Sequence, residues 1–398
     1  MTSQAPAEFV PRSGSSWRDV FSMYAGLRDE DPVHEVASTG DDPSYFVLSR
    51  FDDIMRAAID AKTFSSAKGL TFTYGDMEMT GLEAPIVMMD PPEHTALRKL
   101  ATKRFTPRQV REVEPMIREF VVERVERLRE MGEGDVVETL FKPLPSLVVA
   151  HSLGVPQEDR GRFDRWSDAI VAANAGGDIL GASDAVGELF AYFSALIEKR
   201  RRDPADDMIS ALVHAELEGE PVSMAKLLGV AFTMVTGGND TTTGLLGVSA
   251  ELLTRNPEQR MALRADPSLM KNAIEEFLRL ASPVQGLART TTRDVEIHGR
   301  EIPADRKVML LYASGNRDER EFGPTAPECD VRRPIRRHLS FSYGAHHCIG
   351  AALARLQASI ALEELLARCP EFEVDVDAAE FAPGHFVRRY QSMPFRAS

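Results

Sequence analysis

One of the chain's three cysteines, Cys348, is framed for chemistry. It lies in Phe341-Ser-Tyr-Gly-Ala-His-His-Cys-Ile-Gly350, and the next residues, Ala351-Ala-Leu-Ala-Arg-Leu-Gln-Ala, are strong helix formers. The pattern predicts a loop that delivers a thiol to a helix N-terminus, where backbone N–H groups and the helix dipole favour a thiolate. Gly344 and Gly350 let backbone come close to something flat or bulky. Such a thiolate can be a nucleophile or a metal ligand. Zinc is a poor match, because no second cysteine is near and His346 and His347 are too close along the loop. A haem iron needs only one ligand of this kind, and a thiolate there favours O–O cleavage. Cys329 and Cys369 have no glycine frame and read as structural thiols.

A second unusual stretch interrupts a long apolar segment. From Ser223 to Arg255 the chain has no proline and is apolar on nearly every face. This predicts a buried helix of about 50 Å. Its middle reads Thr236-Gly-Gly-Asn-Asp-Thr-Thr-Thr243. Each glycine costs about 1 kcal/mol against alanine in a helix interior. A buried carboxylate must be paired, hydrated or protonated. A local rule broken inside an otherwise consistent element points to a functional site. Elsewhere, His94 and Arg98 lie one turn apart and suit either an anion or a solvated helix face. Glu276 and Arg279 have the spacing of a surface i,i+3 pair worth a few tenths of a kcal/mol.

Taken together, these motifs resemble the cytochrome P450 family, most closely its soluble bacterial, actinobacterial-type monooxygenases. The resemblance runs from about Trp17 to the C-terminus and rests on four motifs in the family's order. These are F-x-x-G-x-H-x-C-x-G around Cys348, Gly237-Gly-Asn-Asp-Thr-Thr242, Glu276-x-x-Arg279 and His94-x-x-x-Arg98. It implies haem b, protoporphyrin IX iron, with Cys348 as axial thiolate and Phe341, Gly344 and Gly350 shaping the loop around it. His94, Arg98, Arg289 and His346 would hold the propionates. Asp240 and Thr241 would relay protons that support O–O cleavage. Glu276 and Arg279 would be a buried brace of the Cys loop. Its usual third member, an arginine, is replaced by Glu328, leaving Arg332 and Arg333 as candidates. Gly237 stands where the family usually has alanine, which should enlarge the pocket or loosen the helix.

The implied fold is mainly α, the cytochrome P450 fold with a small β-rich region and haem between the central helix and the Cys-loop helix. Residues 1–16 are polar and Pro/Ser-rich, an expected flexible arm before a single domain over 17–398. Strands are predicted at Pro32–Val36 and Tyr45–Leu48, as a hairpin around Gly40–Pro43, and later at Asp294–His298 and Val308–Tyr312. Apolar residues three and four apart predict a helix over Pro107–Met131, kinked or restarted at Pro115, and another around Val186–Ile197.

Composition sets the partners. Lys plus Arg is 47 against 61 Asp plus Glu, a net charge of −14 in 398 residues. That argues against nucleic-acid binding. Few cysteines, no apolar spanning segment and no leader pattern favour a soluble, cytoplasmic protein without membrane attachment. No Gly-rich dinucleotide or flavin motif is visible, so electrons come from outside. The resemblance implies a soluble ferredoxin with its NAD(P)H-dependent reductase. Arg332, Arg333, Arg336, Arg337, Arg98, Lys99, Lys103 and Arg104 are basic clusters that could steer it. The reaction read from this is insertion of one atom of O2 into a hydrophobic small molecule (hydroxylation, epoxidation or dealkylation). Pocket candidates are Met88, Thr233, Gly237, Gly286 and Phe386, with Phe72, Tyr74, Met77, Met79 and Met89 and the stretch Ala172–Leu180. A peroxide-driven peroxygenase would not need Asp240 and Thr241. A haem-based sensor would bind without turnover.

Overall fold

A computed structural model describes residues 8–38, 43–74, 83–176, 183–217 and 219–397, without the side chains of 171–176. Met77, Met79, part of the hairpin turn and the side chains of Ala172–Leu180 lie outside it. The architecture is mainly helical with small sheets, as expected.

The central helix runs from Met224 to Arg255, and the Ser223 hydroxyl caps it by accepting the Lys226 N–H at 3.2 Å. It packs against Pro143–Leu153, Met270–Ala281 and Ala351–Arg368, which explains its apolar circumference. The predicted helix over 107–131 is two helices, Pro107–Glu112 and Glu114–Met131. Thr106 and Gln109 cap the first reciprocally, and Pro115 sits in the first turn of the second, where its missing N–H costs nothing. Ile117, Val121, Val125 and Leu128 form its buried stripe, and Gly132 ends it at φ 74°. Among the described residues no helix is long and apolar enough to cross a membrane.

The predicted hairpin forms as Val33–Val36 against Tyr45–Leu48, antiparallel with Val33 opposite Leu48. Two features differ from expectation. The early hairpin and the second late strand belong to one five-stranded sheet, because Tyr45–Leu48 pairs in parallel with Lys307–Leu310, while Val295–Ile297 pairs separately with Arg300–Ile302. Leu287–Thr291 then pairs antiparallel with Lys307–Leu310, and Phe64–Ser65 closes the far edge. The strand predicted over Val308–Tyr312 stops at Leu310, and Tyr312–Gly315 is a helical turn. All of these residues are buried, so the apolar run carries no period to separate the two states. Within residues 8–16, Phe9 is buried and its N–H meets His34 Nε2 at 3.3 Å, while Glu8, Val10, Ser15 and Ser16 are exposed.

Candidate active site

The Cys loop makes one helical turn at Gly344–His346 and enters the helix Ala351–Arg368 through Gly350. The Cys348 N–H donates to the Phe341 carbonyl at 2.8 Å, which closes the loop. Burial pushes the Cys348 thiol up. The N–H groups of Gly350 and Ala351 and the guanidinium groups of Arg98 and Arg355 pull it the other way. Burial wins and the thiol stands above its ordinary value, so the donors around it favour a thiolate only once a cation is bound to the sulfur. Gly344 is required by backbone: its φ is 69° and a Cβ would lie 2.7 Å from the Ala58 carbonyl. Around Gly350 the nearest atom to an added Cβ is the Cys348 sulfur at 3.9 Å. Phe341 is buried beneath the Arg355 guanidinium, 4.6 Å from its ring centre.

Beside this loop the chain gathers donors. The rings of His94 and His346 lie 4.2 Å apart, and His346 Nε2 meets the Ser66 hydroxyl at 3.2 Å. Arg98 donates to the His347 carbonyl, and Arg289 donates to Ala288 at 2.8 Å. Burial lowers His94 to about 4, helped by Arg98 and Arg289 and opposed by Asp90. Burial lowers His346 to about 3, helped by Arg289, His94 and Arg98. Among the described residues none of these four is ion-paired with a carboxylate, and buried His94 Nδ1 has no hydrogen-bond partner. A buried orphan donor within a cluster of donors fits a ligand carrying carboxylates. With a thiol alongside, the set fits haem.

In the central helix, the Thr241 hydroxyl donates to the Gly237 carbonyl at 2.8 Å, one turn back. Its oxygen can still accept from a water. Gly237 is exposed although it sits mid-helix, and an added Cβ there would meet nothing within 4 Å. Gly238 is different: a Cβ would fall 2.6 Å from Val149 Cγ2. Asp240 Oδ1 accepts from Arg389 Nε at 2.6 Å. Burial raises Asp240 to about 6, with Arg389 and Lys142 opposing and Asp168 assisting. Lys142 and Asp168 are themselves paired at 2.9 Å, both about half-exposed. Arg389 escaped the sequence reading, since nothing local marks an arginine in a C-terminal strand region as the partner of a helix carboxylate.

The brace is complete. Glu276 and Arg279 are wholly buried and bidentate, both contacts at 2.7 Å. Arg279 also donates to the carbonyls of Asn316, Ala326 and Glu328. The third member is Arg333, whose Nε meets Glu276 Oε1 at 3.2 Å. This thins the basic clusters, because Arg333 points inward, Arg337 pairs with Glu321 and Asp52, and Arg104 pairs with Asp206. Lys99, Lys103, Arg332 and Arg336 are exposed without an ion pair among the described residues.

Several pocket candidates come together. Phe386 lies 5.4 Å from Phe72, which stacks on Tyr45 at 5.4 Å. Val284 bridges Val387, and Gln285 N–H donates to the Phe386 carbonyl at 2.8 Å. Met88 and Thr233 are half-buried, and the Thr233 hydroxyl donates to Gly229 at 2.8 Å. Gly286 has another explanation: a Cβ would lie 2.7 Å from the Leu310 carbonyl, so strand packing alone demands glycine. Tyr74 is committed to the Ser44 carbonyl and Lys307 N–H.

The model describing the cytochrome P450 family matches residues 179–383. The chain is 56% identical over 404 residues to Cytochrome P450 130 of Mycobacterium tuberculosis, covering 100% of both. It is 35% identical to the Vitamin D(3) 25-hydroxylase of Pseudonocardia autotrophica, over 96% of this chain and 94% of that one. The solved structure of the Bacillus subtilis 168 bacillaene polyketide synthase cytochrome P450 PksS superposes with a TM-score of 0.88. It shares 30% identity over 96% of this chain and 97% of that one.

Proposed function

The chain belongs to the cytochrome P450 family, a family of haem b monooxygenases with an axial cysteine thiolate, and we propose that Cys348 supplies that thiolate. The enzyme inserts one atom of O2 into a bulky hydrophobic substrate, with two electrons from a ferredoxin. Haem ligated by thiolate supplies the oxygen chemistry when bound. The observation that carries the reading is the donor set His94, Arg98, Arg289 and His346, with His94 and Arg289 buried and no carboxylate of its own, beside the Cys348 thiol. These four hold the propionates, while Phe341, Gly344 and Gly350 set the loop.

The central helix handles protons and water. Asp240 Oδ1, paired with Arg389 and raised to about 6, can take and release a proton near neutrality on the side of Lys142 and Asp168. Thr241 Oγ1, its own proton committed to Gly237, accepts from a water and orients it. Tyr45, Phe72 and Phe386 offer an aromatic wall to an apolar substrate. The name of the vitamin D(3) hydroxylase relative supports a substrate of that bulk. Exposed Lys99, Lys103, Arg332 and Arg336 are the basic groups left to receive an acidic electron donor.

The test is Thr241→Ala in the haem-loaded enzyme with a surrogate ferredoxin pair. Product formed per NADH consumed should fall by about tenfold or more, while peroxide-driven turnover persists. Unchanged coupling would overturn the relay. A reduced CO complex without the thiolate signature would overturn the assignment of Cys348.

A further inference from the structure

Away from the candidate site, the first helix (Val20–Glu30), the turn after Tyr312–Gly315 and the C-terminal segment meet at a buried cluster of guanidinium groups. Arg317 is 8% exposed and its guanidinium carbon stands 3.6 Å from the centre of the Phe21 ring. Its Nη1 is buried without a hydrogen-bond partner. Arg388 is 5% exposed, 5.3 Å from the same ring, and its Nε reaches the Trp17 carbonyl at 3.3 Å. The Nε of Arg12 is also buried and unpartnered. All three act electrostatically on the buried Tyr24 hydroxyl, which donates to Gln285 Oε1 at 3.3 Å.

Among the described residues none of these arginines has an ion-pair partner. Glu251, the acid whose charge reaches Arg317, is held by Arg255 at 3.1 Å and Tyr390 at 2.9 Å. Arg279 shows what a satisfied buried arginine looks like in this chain, with a bidentate carboxylate and three carbonyls. An aromatic face attracts a guanidinium but satisfies none of its N–H groups. Two buried cations, with the buried Nε of half-buried Arg12 beside them, are costly without an acid unless something compensates them. Burial, then the charges of Arg279, Arg388 and Arg28, drive the Arg317 guanidinium well below its ordinary value.

We infer that Arg12, Arg317 and Arg388 bind a small monovalent anion of the halide class between the N-terminal segment and the C-terminal segment. The unpartnered atoms Arg12 Nε and Arg317 Nη1 are donors, so the ligand must be an acceptor. Burial of Arg317 and Arg388 and the Phe21 ring against both guanidinium groups favour a single small ion over phosphate or a nucleotide. The ion ties three chain segments through one charge.

The test uses the full-length, haem-loaded protein exchanged into sodium gluconate, then titrated with sodium chloride or bromide at constant ionic strength. The unfolding midpoint should rise saturably by about 2 °C, and Arg317→Met should remove the rise. Crystals grown in bromide should show its anomalous signal within hydrogen-bond distance of Arg317 Nη1, which decides the matter if Arg317→Met does not fold. Water alone beside Arg317, or a rise that never saturates and that Arg317→Met shares, overturns the inference.

Discussion

The loop that presents Cys348 and the middle of the central helix are held in opposite ways. Around the loop nearly every group is tied. Gly344 is locked by the Ala58 carbonyl, Arg355 spans from Phe341 to Glu275, and the buried Glu276–Arg279 pair is joined by Arg333. In the helix, Gly237 touches nothing that would resist a methyl, Asn239 Oδ1 is buried without a partner, and Asp240 has one ion-pair partner. A metal ligand gains from being fixed, since its orientation is then set in advance. A proton relay must exchange hydrogen bonds, and a sparsely tied segment does so at little cost.

The largest effect should come from breaking the fixed side. Glu276→Gln leaves Arg279 as a buried cation without a carboxylate and should cost about 3–5 kcal/mol in denaturant unfolding. A loss under 1 kcal/mol would mean that Arg279 is satisfied without the Glu276 carboxylate. Glu275→Gln is smaller, about 2 kcal/mol at neutral pH. It also carries a pH signature. Burial alone would raise Glu275, but Arg355 and His338 outweigh it and hold the carboxyl at about 2. Its contribution is therefore complete above its ordinary value of 4.5 and disappears as pH falls from there toward 2. The deficit of Glu275→Gln against wild type should shrink over that window, and a deficit independent of pH would refute the ion pair. On the loose side, Gly237→Ala should stabilise by up to about 1 kcal/mol, because only helix propensity changes. Gly238→Ala should destabilise, since Val149 must move. Equal effects at the two glycines would erase the contrast between them.

What the sequence disclosed was local. The Cys loop, the broken rule at Gly237–Asp240 and the stop at Gly132 each announce themselves within a few residues, through glycine, charge or period. Arg333 and Arg389 do not. Their partners, Glu276 and Asp240, lie far off in the chain, and an arginine beside other arginines reads as surface charge. For the same reason Arg337 and Arg104 looked available until Glu321 and Asp206 proved to hold them. The short helix at Tyr312–Gly315 was hidden by its own burial, because a run apolar on all sides has no periodicity to expose.

The parallel pairing of Phe46 with Val308 sets an order of events in time. At a synthesis rate of about 5–20 residues per second, the strand Tyr45–Leu48 leaves the ribosome between roughly ten seconds and a minute before its neighbour exists. Throughout that interval the early hairpin carries an unpaired apolar edge, the kind of surface that recruits other strands. Chaperone occupancy and expression temperature should therefore govern the yield of this protein more than the stability of the finished fold does.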